Sequence, residues 1–253
     1  KYTRLRAAVV FGGVDISTQT GILRAGTEIL IATPGRLLDH IQQKNVNLGQ
    51  THILVLDEAD RMLDMGFLPD LQRIVNLLPK ERQTLLFSAT FSSEIRKLAK
   101  SFLENPVSVE VARKNATADN VKQAVYHVDE ADKNEAVEYL LRQHQQKQVL
   151  IFSNTKAGAS RLARQLEKKG LKASAIHGDK TQAERMAVLD AFKEGNISVL
   201  VATDVAARGL HIEELPCVIN FDLPFVAEDY VHRIGRTGRA GATGEAISLC
   251  SAK

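Results

Sequence analysis

Ile53-Leu54-Val55-Leu56-Asp57-Glu58-Ala59-Asp60 runs an unbroken apolar stretch straight into a cluster of carboxylates. Ser198-Val199-Leu200-Val201-Ala202-Thr203-Asp204 has the same layout far downstream. A strand with one wet face alternates apolar and polar residues. A strand buried on both faces reads as a continuous apolar run, and such burial belongs to parallel sheets covered by helices. Working outward from these two runs, candidate strands fall at 8–11, 28–32, 53–57, 84–88, 107–111, 123–128, 149–153, 172–177, 198–203, 217–221 and 246–250. Helical patterns lie between them, as at 156–169 and 181–194. Strand-helix alternation of this kind predicts a doubly wound α/β architecture.

Residues 112–122 have the weakest apolar periodicity of the chain and are expected to link two domains, 1–111 and 123–253. Each half repeats one layout: an apolar strand that ends in small or acidic residues. The 253 residues are 44% apolar and 25% charged, an ordinary globular composition with enough chain for a core. Trp is absent and aromatics are 5%, so the core must be aliphatic. A net charge of +3 permits a polyanionic partner without requiring one. The two cysteines, Cys217 and Cys250, make neither a metal pattern nor a disulfide framework. They read as buried thiols suited to a reducing cytoplasm. No apolar run reaches membrane-spanning length, and no membrane association is expected. The first residues, Lys1-Tyr2-Thr3-Arg4-Leu5-Arg6, lack the layout of a signal peptide and read as interior sequence.

The chemistry concentrates at strand ends. Open α/β sheets place ligands at the carboxyl ends of their strands, where Asp57 and Glu58 fall. In nucleotide hydrolases an acid at such a place holds Mg²⁺. Leu85-Leu86-Phe87-Ser88-Ala89-Thr90 sets two hydroxyls at another strand end; taken alone they also fit helix caps. The 230–239 segment, Tyr-Val-His-Arg-Ile-Gly-Arg-Thr-Gly-Arg, gathers a histidine and three arginines. The planar fork of arginine suits phosphoryl oxygens, and intervening glycines let the backbone approach a ligand.

Gly12-Gly13, Thr33-Pro34-Gly35-Arg36, Asp57-Glu58-Ala59-Asp60, Ser88-Ala89-Thr90, Gln182 with Arg185, Ala202-Thr203-Asp204-Val205-Ala206-Ala207-Arg208-Gly209 and His232 through Arg239 stand in the order found in DEAD-box RNA helicases. The chain resembles that family over essentially its whole length. Val111-Ala112-Arg113-Lys114-Asn115 and Ile176-His177-Gly178 are similar to the bacterial RhlE-like branch. The resemblance implies two RecA-like parallel-sheet domains, the first truncated at its N-terminus, and ATP-dependent remodelling of RNA duplexes. It implies that Asp57 binds Mg²⁺ through water and that Glu58 is the catalytic base. Asp57, Gly209 and His211 would serve the ATP site. Asp60, Ser88, Thr90 and His232 would link ATP state to domain closure, with Arg236 and Arg239 as arginine fingers. Gly12, Gly13, Thr33, Pro34, Gly35 and Arg36 would line the RNA path in the first domain; Gly178, Gln182, Arg185 and Thr203 would line it in the second. Contacts of this kind hold phosphates and sugars without reading sequence, and 2′-hydroxyl contacts favour RNA over DNA. Two rival readings are a DNA-directed relative and an RNA-binding or annealing module that works without ATP.

Two departures qualify the resemblance. The chain contains no G-x-x-x-x-G-K-[ST] loop; Gly21-Ile22-Leu23-Arg24-Ala25-Gly26-Thr27 lacks the lysine that cradles phosphates. ATP hydrolysis by these 253 residues alone is therefore expected to be absent or very weak. His211 occupies the place where the family usually has an aspartate against the ribose. An imidazole accepts poorly from two hydroxyls, so His211→Asp should lower the KM for ATP of the complete gene product; equal KM values would refute that.

Overall fold

The computed structural model describes residues 4–89, 92–109, 121–144, 148–207, 210, 212, 215–238 and 243–251, with 144 and 228 described by backbone alone. The chain divides into two compact units, Lys1–Glu110 and Val111–Lys253.

The first unit runs β1 (Ala7–Val10), α1 (Ser17–Arg24), β2 (Ile29–Ala32), α2 (Pro34–Gln42), β3 (Ile53–Leu56), α3 (Ala59–Asp64), α4 (Leu68–Asn76), β4 (Gln83–Leu86) and α5 (Ser93–Phe102). Its strands form two separate parallel pairs, β1 with β2 and β3 with β4. Leu56, Leu71, Ile95, Leu98 and Phe102 pack a small core under β3 and β4. A second cluster, Ala8, Val10 and Leu23, lies against β1. Val9, Ile31, Ile53 and Val55 remain exposed on the opposite faces of these pairs. A continuous apolar run thus marks β3, yet only one of its faces is covered among the described residues.

The second unit runs β5 (Val121–His127), α6 (Lys133–His144), β6 (Val149–Phe152), α7 (Lys156–Lys168), β7 (Ala173–Ile176), α8 (Gln182–Lys193), β8 (Val199–Ala202), α9 (Asp204–Ala207), β9 (Cys217–Asn220), α10 (Ala227–Ile234) and β10 (Gly244–Cys250). Six strands make one sheet in the order β5-β10-β9-β6-β8-β7. All five pairings are parallel. Every residue of β6, β8 and β9 is buried, as their uninterrupted apolar reading demands. One face packs on α6 and α7 through Val137, Leu141, Leu162 and Leu166. The other buries Leu150, Leu200 and Val218 under Leu189, Phe192 and Ile212. Cys217 lies inside the sheet, where burial first, and the nearby Glu245 carboxylate second, pushes its thiol up to about 12.

The helices begin where their caps dictate. Thr155 accepts from the Gly158 amide to open α7. Thr181 and Glu184 form a reciprocal capping box at the start of α8. The expected strand at 107–111 is a correction: residues 107–109 belong to no strand, and 110 and 111 lie outside the described residues. Val107 and Val109 are fully solvated, with no neighbouring strand among the described residues to take their hydrogen bonds. β-propensity alone does not make a strand without such a partner.

Gly244 starts β10 beneath the turn that follows α10. A Cβ there would collide with Thr237 Oγ1 and stand 2.6 Å from the Gly238 amide nitrogen. Thr237 is itself fixed, since it is fully buried, its hydroxyl donates to the Leu215 carbonyl, and it bridges to Leu215 in parallel. Gly244→Ala should cost about 1–3 kcal/mol of unfolding free energy by overpacking. The measurement is the denaturant midpoint of the second unit, and an unchanged midpoint would show that the turn yields freely.

Candidate nucleotide and RNA site

In the first unit the carboxylates sit at the tip of β3, held by β4. The Phe87 amide donates to the Leu56 carbonyl at 2.8 Å, and the Ala59 amide donates to the Phe87 carbonyl at 2.9 Å. This clasp places Ser88 and Ala89 beside Asp57 and Glu58. Glu58 adopts the left-handed region at φ 52° and ψ 48°, which carries a steric cost for a residue with a Cβ. The turn keeps Asp57 and Glu58 exposed at the tip, while Ala59 and Asp60 are buried at the start of α3. Asp57 Oδ1 accepts from the Glu58 amide at 2.9 Å, and Asp60 Oδ1 from the Arg61 amide at 3.0 Å. Among the described residues no group of three or more His, Cys, Asp or Glu could hold a metal alone. Asp57 and Glu58 put two adjacent, exposed carboxylates at one strand tip, a donor set that could serve a Mg²⁺ ion, which takes one or two carboxylates alongside waters and substrate phosphates.

The glycine and proline segments form a second locus in the same unit. Gly12 and Gly13 are exposed after β1, Thr33 is exposed after β2, and Pro34 opens α2. A Cβ added at Gly12 or Gly35 would meet nothing within 4 Å, so a ligand backbone has room to approach there. A buried polar network ties these segments together. Arg36 Nη2 donates to the Val14 carbonyl at 2.7 Å and Nη1 to Gln19 Oε1 at 3.0 Å. Gln19 Nε2 donates to the Phe11 carbonyl at 3.0 Å. His40, with no exposed surface, lies between Gln19 Oε1 at 3.3 Å and Asn45 Nδ2 at 3.3 Å. Those partners require the tautomer with the proton on Nε2. Burial, then the Arg36 charge, holds the imidazole below its ordinary value. Arg36, expected as a phosphate contact, commits one nitrogen to the loop that carries Gly12 and Gly13 and a second to Gln19 of α1.

In the second unit Gly178 and Thr203 lie at the carboxyl ends of β7 and β8, whereas Arg236 lies ahead of β9, where its carbonyl accepts from the Leu215 amide at 3.1 Å. Gly178 is exposed after β7, next to Lys156. Gln182 and Arg185 stand one turn apart on α8 and share a 3.3 Å hydrogen bond. Arg185 Nε is buried and has no hydrogen-bond partner. Thr203 is buried at the end of β8. His232 lies on the last turn of α10 and Arg236 just beyond it, with Arg236 Nη1 donating to the Leu210 carbonyl at 3.0 Å. Thr90, Gly209, His211 and Arg239 lie outside the described residues. The sequence reading missed Gln19, His40 and Asn45. The signal for Gln19 was its place four residues before Leu23, on the inward side of α1.

Two family models match the chain: DEAD/DEAH box helicase over residues 1–98 and the helicase conserved C-terminal domain over residues 132–241. The ATP-dependent RNA helicase RhlB of Pseudomonas syringae is 48% identical over 252 residues, 98% of this chain and 64% of that protein. CshA of Bacillus subtilis, a DEAD-box ATP-dependent RNA helicase, is 46% identical over 246 residues, 97% of this chain and 50% of that protein. The chain therefore spans between about two fifths and two thirds of the curated relatives it matches. Among solved structures, Saccharomyces cerevisiae Dbp5 bound to RNA and ADP BeF3 matches with a TM-score of 0.87 and 34% identity, over 99% of this chain and 65% of that one. A hypothetical ATP-dependent RNA helicase from Sulfolobus tokodaii is 37% identical, with a TM-score of 0.52, over 100% of this chain and 73% of that one. With carboxylates at the β3 tip, arginines after α10 and relatives of this kind along its whole length, the chain belongs to the DEAD-box helicase family.

Proposed function

We propose that this chain is the core of an ATP-dependent RNA helicase that spends ATP to open short RNA duplexes locally. The observation that supports this most is the tip of β3, where a strained turn presents two adjacent carboxylates beside the hydroxyl-bearing end of β4. Backbone strain held by its surroundings is commonest where a side chain must be aimed. In this reading Asp57 holds Mg²⁺ through water, and Glu58 takes the proton of the attacking water. Arg236 and Arg239 neutralise charge that builds on the phosphoryl oxygens, an effect of about 10³–10⁵ in rate for arginines so placed. Gly209 and His211 belong to the nucleotide side. Asp60, Ser88, Thr90 and His232 relay nucleotide state between the units.

RNA would run along Gly12, Gly13, Thr33, Pro34 and Gly35 in the first unit and along Gly178, Gln182, Arg185 and Thr203 in the second, with Arg36 shaping the first of these surfaces. The bound RNA and ADP BeF3 of Dbp5 support this assignment by relationship. Sequence wording supports placement near the RhlE-like branch. No described helix is long and apolar enough to cross a membrane.

In the complete gene product, Glu58→Gln should reduce RNA-stimulated phosphate release by about 10²–10⁴-fold while ATP-dependent RNA binding persists. Hydrolysis at the unsubstituted rate would remove Glu58 from the chemistry. RNA affinity indifferent to Mg-ATP would replace the helicase with an ATP-independent binding module.

The His40 network gives a pH dependence of fixed sign. Its folded-state pKa lies below the ordinary value of about 6.5. As pH falls below that value the unfolded chain takes up a proton that the folded chain resists, so stability is lost. Protonation then turns Nδ1 into a donor facing the Asn45 amide donor. Magnetic resonance titration should place the His40 midpoint below about 6.5, and the first unit should lose stability on acidification beneath that pH. His40→Gln should remove part of that loss; an ordinary midpoint would refute the buried neutral tautomer.

A further inference from the structure

Arg233 is the arginine of the 230–239 segment that the proposed chemistry leaves without a role. It lies on the last turn of α10 and is 1% exposed, one of the largest fully buried side chains of the molecule. Nε donates to Asp204 Oδ1 at 2.7 Å and Nη2 to Asp204 Oδ2 at 2.6 Å, a bidentate ion pair. Nη1 donates to the Asp222 carbonyl at 2.6 Å and to Asn220 Oδ1 at 3.2 Å. Nη2 also donates to Asn154 Oδ1 at 2.8 Å. A guanidinium has five N–H donors, and these five bonds use all of them. The group also lies 4.9 Å from the centre of the Phe152 ring. No donor is left for a phosphate.

What Arg233 touches defines its task. Asn154 follows β6, Asp204 follows β8, and Asn220 and Asp222 end and follow β9. The tips are also bound to one another. Asp222 Oδ2 accepts from Ser153 Oγ and from the Asn154 amide, both at 2.9 Å, and Asn154 Nδ2 donates to the Leu223 carbonyl at 2.9 Å. Asp204 adjoins Thr203, on the RNA side of the proposed function. Arg236, on its ATP side, lies three residues beyond Arg233, and its amide donates to the Arg233 carbonyl at 3.2 Å.

We propose that Arg233 is a positioning residue that couples the strand ends of the second unit, the Thr203 end of β8 among them, to the ATP-side arginine Arg236: its buried guanidinium bonds residues at the ends of β6, β8 and β9, and its carbonyl accepts from the Arg236 amide. This rests on the proposed function. A fork that satisfies three loops at once cannot follow one loop without breaking bonds to the others, so displacement at Thr203 is transmitted to α10. Lysine keeps the charge but cannot reproduce planar, five-donor geometry.

The test uses Arg233→Lys, Asp204→Asn and the double variant in the complete gene product, at a temperature where thermal melts show each folded. Stimulated kcat and the RNA concentration giving half-maximal stimulation are both read. Each single variant should lower kcat by about 10²-fold, the scale of a small misplacement transmitted from a distance. Each should also raise the half-stimulating RNA concentration, and the double variant should be no worse than the poorer single one. A fall in kcat alone, with RNA dependence unchanged and Asp204→Asn harmless, would make Arg233 a phosphate contact and overturn the proposal. So would unchanged parameters in folded variants, which would leave Arg233 a stabilising residue only.

If the unsubstituted protein shows no RNA stimulation, the function assignment fails separately. The coupling is then read from amide exchange in the 253-residue chain. Arg233→Lys should speed exchange at Asn154, Thr203 and Arg236 together; acceleration within α10 alone would overturn the inference. Should Arg233→Lys not fold, Asn154→Ala removes the 2.8 Å link to Arg233 together with the bond to the Leu223 carbonyl, leaves the Asp204 and Asp222 links in place, and must shift the same readouts in the same direction, though less.

Discussion

The alignment of three central strands governs the second unit. Phe152 pairs in register with Ala202 on one side and with Asn220 on the other. β6, β8 and β9 therefore stop at one level, and the polar residues after each are delivered to one small volume. Parallel strands carry their apolar runs inside and leave chemistry at their ends. A buried charge in that volume is tolerable only when paired and hydrogen-bonded. Asp204, Asp222 and Lys133 meet that demand along with Arg233. Lys133 lies 3.7 Å from Asp222 and 2.8 Å from Glu130, with its ammonium 5.4 Å from the centre of the Phe221 ring.

The first unit solves a related problem with less sheet. Its two strand pairs each offer one loop to solvent, and each loop is fixed by a local device. At the β3 tip the device is backbone hydrogen bonding to β4. After β1 and β2 it is the side-chain chain from Arg36 through Gln19 to His40 and Asn45. In the first case the aim is set by backbone hydrogen bonds of Phe87, and in the second by buried side chains. Polar groups inside such a network gain strength from low dielectric surroundings but have little tolerance for a lost partner.

This division explains what could be read from the chain before its structure. The run at 199–202 announced a strand buried on both faces because covering helices leave that signature in the sequence itself, whereas the same signature at 53–56 announced a parallel strand with only one face covered among the described residues. Ordered short motifs singled out Asp57, Glu58 and Arg236, which the proposed function turns toward a ligand, because each stands at a fixed offset from its strand or helix. The aiming residues gave no comparable signal. Arg233 meets Asp204 across 29 positions and Asn154 across 79. Gln19 meets Arg36 across 17. Little in the local sequence separates such a side chain from a solvated one; for Gln19 only its place on the inward side of α1 did so. The valines at 107 and 109 erred the other way, since their local preference was right for a strand but the described residues supply no neighbour.

The left-handed backbone at Glu58 also limits how this protein can be improved. Glycine takes that conformation without the steric cost that a Cβ brings, so selection for heat resistance alone would reward Glu58→Gly with a gain on the order of 1 kcal/mol. The same change would delete the carboxylate that the turn exists to present. With the role proposed for Glu58, a library sorted only by melting temperature would drift toward robust, inert molecules at this codon, and any stabilisation campaign needs an activity screen beside it.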